Sequence, residues 1–122
     1  MDLNLVVLAG RLTAPPESRT LDSGSHFIRY LVSVRSELPQ RRLDVVPVIL
    51  RHPPEDVAGA EPGPGQRIWV AGSVQRRFWH APEGRRSRLE VVAEQVCLRE
   101  EPPAADHAVS QGRDGGAVVL GQ

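Results

Sequence analysis

Lysine is missing from this chain: all 15 of its basic residues are arginine. A GC-rich coding preference would produce the same bias, so the bias does not identify a partner. Cysteine occurs once, at Cys97, which excludes a disulfide framework and a paired-cysteine metal site. The residue reads most simply as a small buried hydrophobe. His26, His52, His80 and His107 are scattered without ligand spacing, so no metal is expected. No nucleophile, base and orienter fall into a set, and Gly63-Pro64-Gly65 lacks the lysine and hydroxyl residue of a phosphate loop. Neither an enzyme nor a cofactor is therefore expected. No apolar run is long enough to cross a membrane. The β-pattern begins by Leu3, which leaves no room upstream for a signal or transit peptide, so the expected location is the cytoplasm.

What is present suffices for one domain. Of the 122 residues, 40% are hydrophobic, enough for one modest core. The net charge of zero conceals an asymmetry: residues 1–99 hold 14 arginines against 11 acids, whereas residues 100–122 hold Arg113 against Glu100, Glu101, Asp106 and Asp114. After Glu101 the strand pattern stops, and Pro102-Pro103 and the glycines from Gly112 to Gly116 leave too few apolar residues for order. Residues 1–99 are expected to form the domain and residues 100–122 a flexible, disordered tail.

Residues 3–12 form the first expected strand, with Leu3, Leu5, Val7 and Ala9 on one side and Val6 and Leu8 on the other. Both sides are apolar, which suggests burial on both. Gly10 inside it marks a bulge or a barrel corner. A connecting piece and the turn Asp22-Ser23-Gly24-Ser25 lead to a second strand, residues 26–35. Its Ile28, Tyr30, Val32 and Val34 share an apolar face, and Phe27, Arg29, Leu31, Ser33 and Arg35 share a mixed one. Spacing leaves that mixed face open between a solvent side and a ligand-contacting surface. Residues 43–50 form the third strand, in which Pro47 demands an edge position or a bulge. Pro53 and Pro54 can open one helical turn over residues 55–60, which Pro62-Gly63-Pro64-Gly65 must end.

Residues 67–98 then read as one long hairpin. Ile68, Val70, Gly72, Val74 and Phe78 alternate with Arg67, Trp69, Ala71, Ser73, Gln75, Arg77 and Trp79. Pro82-Glu83-Gly84 turns the chain, and Leu89, Val91 and Ala93 alternate with Arg88, Glu90 and Val92 on the way back. Arg76, Arg77, Arg85, Arg86 and Arg88 surround Trp79 and a single acid, Glu83. A flat ring among guanidinium groups suits a nucleobase with its phosphate, the combination that single-stranded nucleic acid requires. The competing reading of Trp79 is a ring folded back on its own sheet or on a neighbouring subunit. Five strands with the only helical turn between the third and fourth is the order of an all-β, five-stranded Greek-key OB-fold barrel, here with a long hairpin joining strands four and five.

The run Asn4-Leu5-Val6-Val7-Leu8-Ala9-Gly10-Arg11-Leu12-Thr13-Ala14-Pro15-Pro16-Glu17 resembles the opening of the bacterial single-stranded DNA-binding protein family. Three further pieces resemble that family in the same order: residues 24–34, its second strand; Gly65-Gln66-Arg67-Ile68-Trp69-Val70-Ala71-Gly72, its entry to strand four; and Arg76-Arg77-Phe78-Trp79, the basic-aromatic segment that follows. The resemblance covers residues 1–99. It implies an OB-fold that assembles as a homo-oligomer, a tetramer or in some relatives a dimer, with single-stranded DNA wrapped over it in replication, recombination or repair. Trp79 falls at the family's base-stacking tryptophan, and Arg76 and Arg77 at its backbone-contacting basic residues. Arg85, Arg86 and Arg88 join them as expected contacts, with Phe27, Arg29 and Arg35 as a second patch.

The departures are equally informative. Members of the family usually carry further stacking aromatics after strand two and in strand three, yet no Phe, Tyr or Trp lies between Tyr30 and Trp69. Weaker and more salt-dependent binding is expected, because arginine only partly replaces stacking. The family's acidic C-terminal tip with a terminal aromatic is replaced by Gly115-Gly116-Ala117-Val118-Val119-Leu120-Gly121-Gln122. That puts in doubt the recruitment of replication or repair proteins through the tip and points to a divergent or accessory member. The alternative function is a protein-interaction module on the same fold, as in the primosome-like replication-restart proteins that resemble this family.

Overall fold

The computed structural model describes residues 1–100; all but the first residue of the expected tail lies outside them. Strands β1 (Val6–Leu12), β2 (Glu17–Thr20), β3 (His26–Ser36) and β4 (Arg42–Arg51) precede one helical turn, α1 (Glu55–Ala58), and the long hairpin arms β5 (Arg67–Ala81) and β6 (Gly84–Arg99) follow it. The sheet order is β1-β5-β6-β4-β3-β2, and a further β1–β3 pairing closes the five long strands into an OB-type barrel. The sixth strand, β2, lies at the edge and pairs only with β3.

Closure depends on β1 changing partner. Val6 to Arg11 pair with β5, whereas Arg11 and Leu12 pair with β3. Gly10 sits at this corner, where a Cβ would run into the Ser33 carbonyl oxygen. Only a residue without a side chain lets the backbones approach so closely. On the far side, β4 and β6 run parallel over Val48–Leu50 against Val91–Ala93. Before that short contact the stretch from Arg42 to Pro47 has only β3 beside it, so Pro47 occupies the edge position its missing N–H requires.

The inward faces follow the alternation. Ile28, Tyr30, Val32, Val48, Leu50, Ile68, Val70 and Val91 are buried together with Leu12 and Ala93. Complete burial of each large aliphatic side chain contributes about 1.5–3 kcal/mol. Burial also pushes the Tyr30 phenol up to about 12. A β-bulge between Ala71/Gly72 and β6 lets the inward set of β6 pass from Val91 and Ala93 to Val96 and Leu98.

Three expectations need correction, and the simplest concerns Cys97, which is not a buried hydrophobe but stands exposed on β6. The piece between Pro16 and Asp22 is not a plain connection but β2, whose Glu17, Ser18, Arg19 and Thr20 are all exposed. With no apolar residue it carries no readable period. The turn that ends it holds it in place, through Leu21 N–H to the Ser25 carbonyl at 2.8 Å and Gly24 N–H to the Leu21 carbonyl at 2.8 Å. The first strand is not buried on both sides: it starts at Val6, and Leu3, Leu5 and Val7 are 88%, 67% and 62% exposed. A single barrel has nothing to cover that side. Asn4 instead fixes the approach to β1, its side chain donating to the Val74 carbonyl at 2.7 Å and accepting from Val74 N–H at 2.9 Å.

Candidate nucleic-acid interface

The pleat of the hairpin sorts its arginines. Arg77 pairs across to Arg88 and Trp79 to Arg86, so these four side chains share one face. Arg76, Phe78, His80 and Arg85 project from the other, where the Arg85 guanidinium carbon lies 4.5 Å from the Phe78 ring centroid and Arg76 Nη1 donates to Ser87 Oγ at 3.0 Å. The cluster that is continuous in sequence is thus divided between two surfaces.

On the first face Trp79 is half-buried and its ring is flanked by two cations, with Arg77 Cζ 4.8 Å and Arg88 Cζ 5.6 Å from the centroid. Arg77 Nε also donates to Glu90 Oε2 at 3.1 Å. Glu83, the acid at the tip, lies 3.5 Å from Arg86 in an exposed pair, which contributes little.

Arg77 joins this face to the β3 surface. It lines, with Arg19, Phe27, Arg29, Ile49 and Arg51, a cleft of about 600 Å³ between the barrel wall and the hairpin. Strand register places Phe27 between Arg19 on β2 and Arg51 on β4, an aromatic floor with a cation on either side. The Arg29 Nε is buried in the cleft wall without a hydrogen-bond partner among the described residues, which carries the cost of an unsatisfied donor. His26 and His52 lie at the rim, His26 Nε2 2.6 Å from Ser18 Oγ.

Of the expected residues, the structure therefore brings Phe27, Arg29 and Arg77 to one cleft and sets Trp79, Arg86 and Arg88 on the hairpin face that carries Arg77. It does not bring Arg35 there: that residue pairs with Leu43 toward the other end of β3. Arg76 and Arg85 lie on the opposite hairpin face. Sequence reasoning missed Arg19 and Arg51. Arg19 lies in the unrecognised β2, and only the hairpin turn at Asp22-Ser23-Gly24 could have placed it opposite Phe27.

Where further aromatics were lacking in the sequence, aliphatic groups stand exposed: Leu38 is 85%, Leu43 61% and Val45 52% accessible. Beside them Arg42 donates to both Asp44 oxygens, at 3.0 and 2.8 Å. The hydrogen bonds from Arg42 hold the Asp44 carboxyl below the usual carboxylate range. Among the described residues no three His, Cys, Asp or Glu side chains gather where they could hold a metal ion, and no helix is long and apolar enough to cross a membrane.

A solved structure titled "Plasmodium falciparum SSB complex with ssDNA" superposes with a TM-score of 0.64, covering 80% of this chain and 94% of its own at 19% identity. That likeness is one of fold. Single-stranded DNA-binding protein 3 of Clostridium acetobutylicum is 27% identical over 97% of this chain and 89% of its own length. A single-stranded DNA-binding protein of Clostridium tetani is 31% identical over 80% of this chain and 71% of its own. Residues 3–98 match the single-strand binding protein family, and the chain belongs to that family.

Proposed function

We propose that this protein binds single-stranded DNA without sequence preference, in replication, recombination or repair, and that residues 1–99 are its binding domain. The observation that carries the reading is the flanking of Trp79 by Arg77 and Arg88, with Arg77 also lining the Phe27 cleft. Bases stack on Trp79, with Arg77 against its ring, and on Phe27, while Arg29, Arg86 and Arg88 meet phosphates. A strand that continues around the hairpin meets Arg76 and Arg85, and one that runs along β3 meets Arg35. Arg19 and Arg51 add to the same path. Family members are binding proteins, and we assign this chain no catalysis, no cofactor and a place in the cytoplasm.

The test is anisotropy of a labelled poly-dT oligonucleotide, with duplex DNA as control. If about five arginines meet phosphate, the logarithm of affinity falls against that of salt with a slope of about −3.5, roughly a hundredfold between 50 and 200 mM. Salt-insensitive binding would contradict the reading. No binding at low salt would favour the second one, a protein-interaction module, for which the exposed Leu38, Leu43 and Val45 speak.

The assembly we propose is a homo-oligomer, dimer or tetramer, joined through the uncovered side of β1. Leu5, Val7 and Ala9 continue there into Trp69 and Cys97 on the neighbouring strands. An apolar strip of this kind is what a second copy would cover. Replacing both Leu5 and Val7 by serine should yield a lower assembly by light scattering; an unchanged mass would place the contact elsewhere.

A further inference from the structure

Glu90 is the one charged residue that is buried among the described residues, at 4% exposure, and it lies in the wall of the cleft. A carboxylate facing a polyanion's path repels it, so its presence among arginines needs a reason. The geometry around it supplies one. Arg77 is used twice: its Nε donates to Glu90 at 3.1 Å, and its guanidinium carbon lies 4.8 Å from the centre of the Trp79 ring. The Arg77 side chain is 47% exposed, and without that tether its long stem would be free to swing toward solvent or phosphate. Arg88 also lies over Trp79, but it has no acid partner among the described residues. One of the ring's two cations is therefore anchored and the other is not.

We infer that Glu90 is a positioning residue for base stacking: through Arg77 it holds the Trp79 indole in the orientation a base meets. Arg88, which has no tether, is the cation that leaves the ring for the DNA backbone. The inference rests on single-strand binding through Trp79. It also reverses the sign that simple charge would give, since removing an acid from a DNA site ordinarily tightens binding.

The experiment is a double-mutant cycle on the full chain with labelled poly-dT at low salt, read by anisotropy and by quenching of tryptophan fluorescence. Glu90→Gln should weaken binding about fivefold or more and reduce the quench. In a Trp79→Leu background the same substitution should change affinity less than twofold. Tighter binding by Glu90→Gln would overturn the inference, because the carboxylate would then be only a repelling charge. Equal weakening in both backgrounds would overturn it too, as the mark of a merely structural role. Should Glu90→Gln fail to fold, Arg77→Lys answers instead: it keeps the charge and loses the Nε donor and the flat guanidinium. It should show the same loss and the same dependence on Trp79, and wild-type affinity would overturn the proposal. A wild type that does not bind poly-dT removes the single-strand reading and this inference together. A wild type that binds, with Trp79→Leu weaker and Glu90→Gln tighter, removes this inference alone.

Discussion

Replacing Trp79 by leucine is expected to weaken poly-dT binding about fivefold to 150-fold at any one salt concentration. The estimate follows from base–aromatic stacking, about 1–3 kcal/mol for each base that loses its platform. With so few aromatics in the chain, no neighbouring ring on that face can take over: Phe78 projects from the other side of the hairpin and Phe27 lies across the cleft. The salt slope should stay unchanged, because no charge is removed. Arg88→Gln is the complementary case, in which affinity falls mainly through a slope smaller in magnitude by about 0.7. Thermal unfolding distinguishes stacking from packing. If the indole served its own sheet, Trp79→Leu would lower the melting temperature and leave affinity unchanged, and the binding site would have to be sought elsewhere.

The second large effect is on the barrel itself. Gly72→Ala should prevent folding or cost more than about 4 kcal/mol, in the range reserved for backbone collisions and buried defects. Gly72 is buried on β5 at the bulge, and a Cβ there would strike the Val92 carbonyl oxygen and approach the Ala93 Cα to 2.8 Å. Both obstacles are backbone of the partner strand, which cannot rotate away as a side chain would. Gly63→Ala is the control, because a Cβ at that position meets nothing within 4 Å. Circular dichroism with urea titration of the two variants reads the difference. A Gly72→Ala protein with a wild-type midpoint would mean that β5 and β6 do not approach each other in this way.

These two residues also mark how far the chain could be read before its structure was known. Ile28, Tyr30 and Val32 announce an inward face by simple alternation, and they are indeed buried. Gly10, out of place in an apolar strand, signals the corner at which β1 passes from β5 to β3. The return arm was harder: its apolar residues step from Ala93 to Val96, a spacing that breaks the period of two and becomes intelligible only once the bulge is seen. Arg76 and Arg77, adjacent in sequence, belong to opposite faces of the hairpin. That division was implicit in the alternation, but not which face would overlie the β3 surface.

The sequence alone determined the properties that depend on neighbours along the chain. These are the all-β pattern, the turn positions, the inward faces of β3 and β5, and the concentration of arginine around Trp79. Each is a consequence of strand pleat and turn chemistry acting over a few residues. Tertiary structure decided what depends on residues far apart. It put Arg19 and Arg51 beside Phe27, set Arg77 into the same cleft, gave buried Glu90 its partner, and left one side of β1 uncovered. The reason is that a strand's period fixes which residues share a face, whereas the neighbour each face meets is set by closure of the barrel, which no local segment encodes.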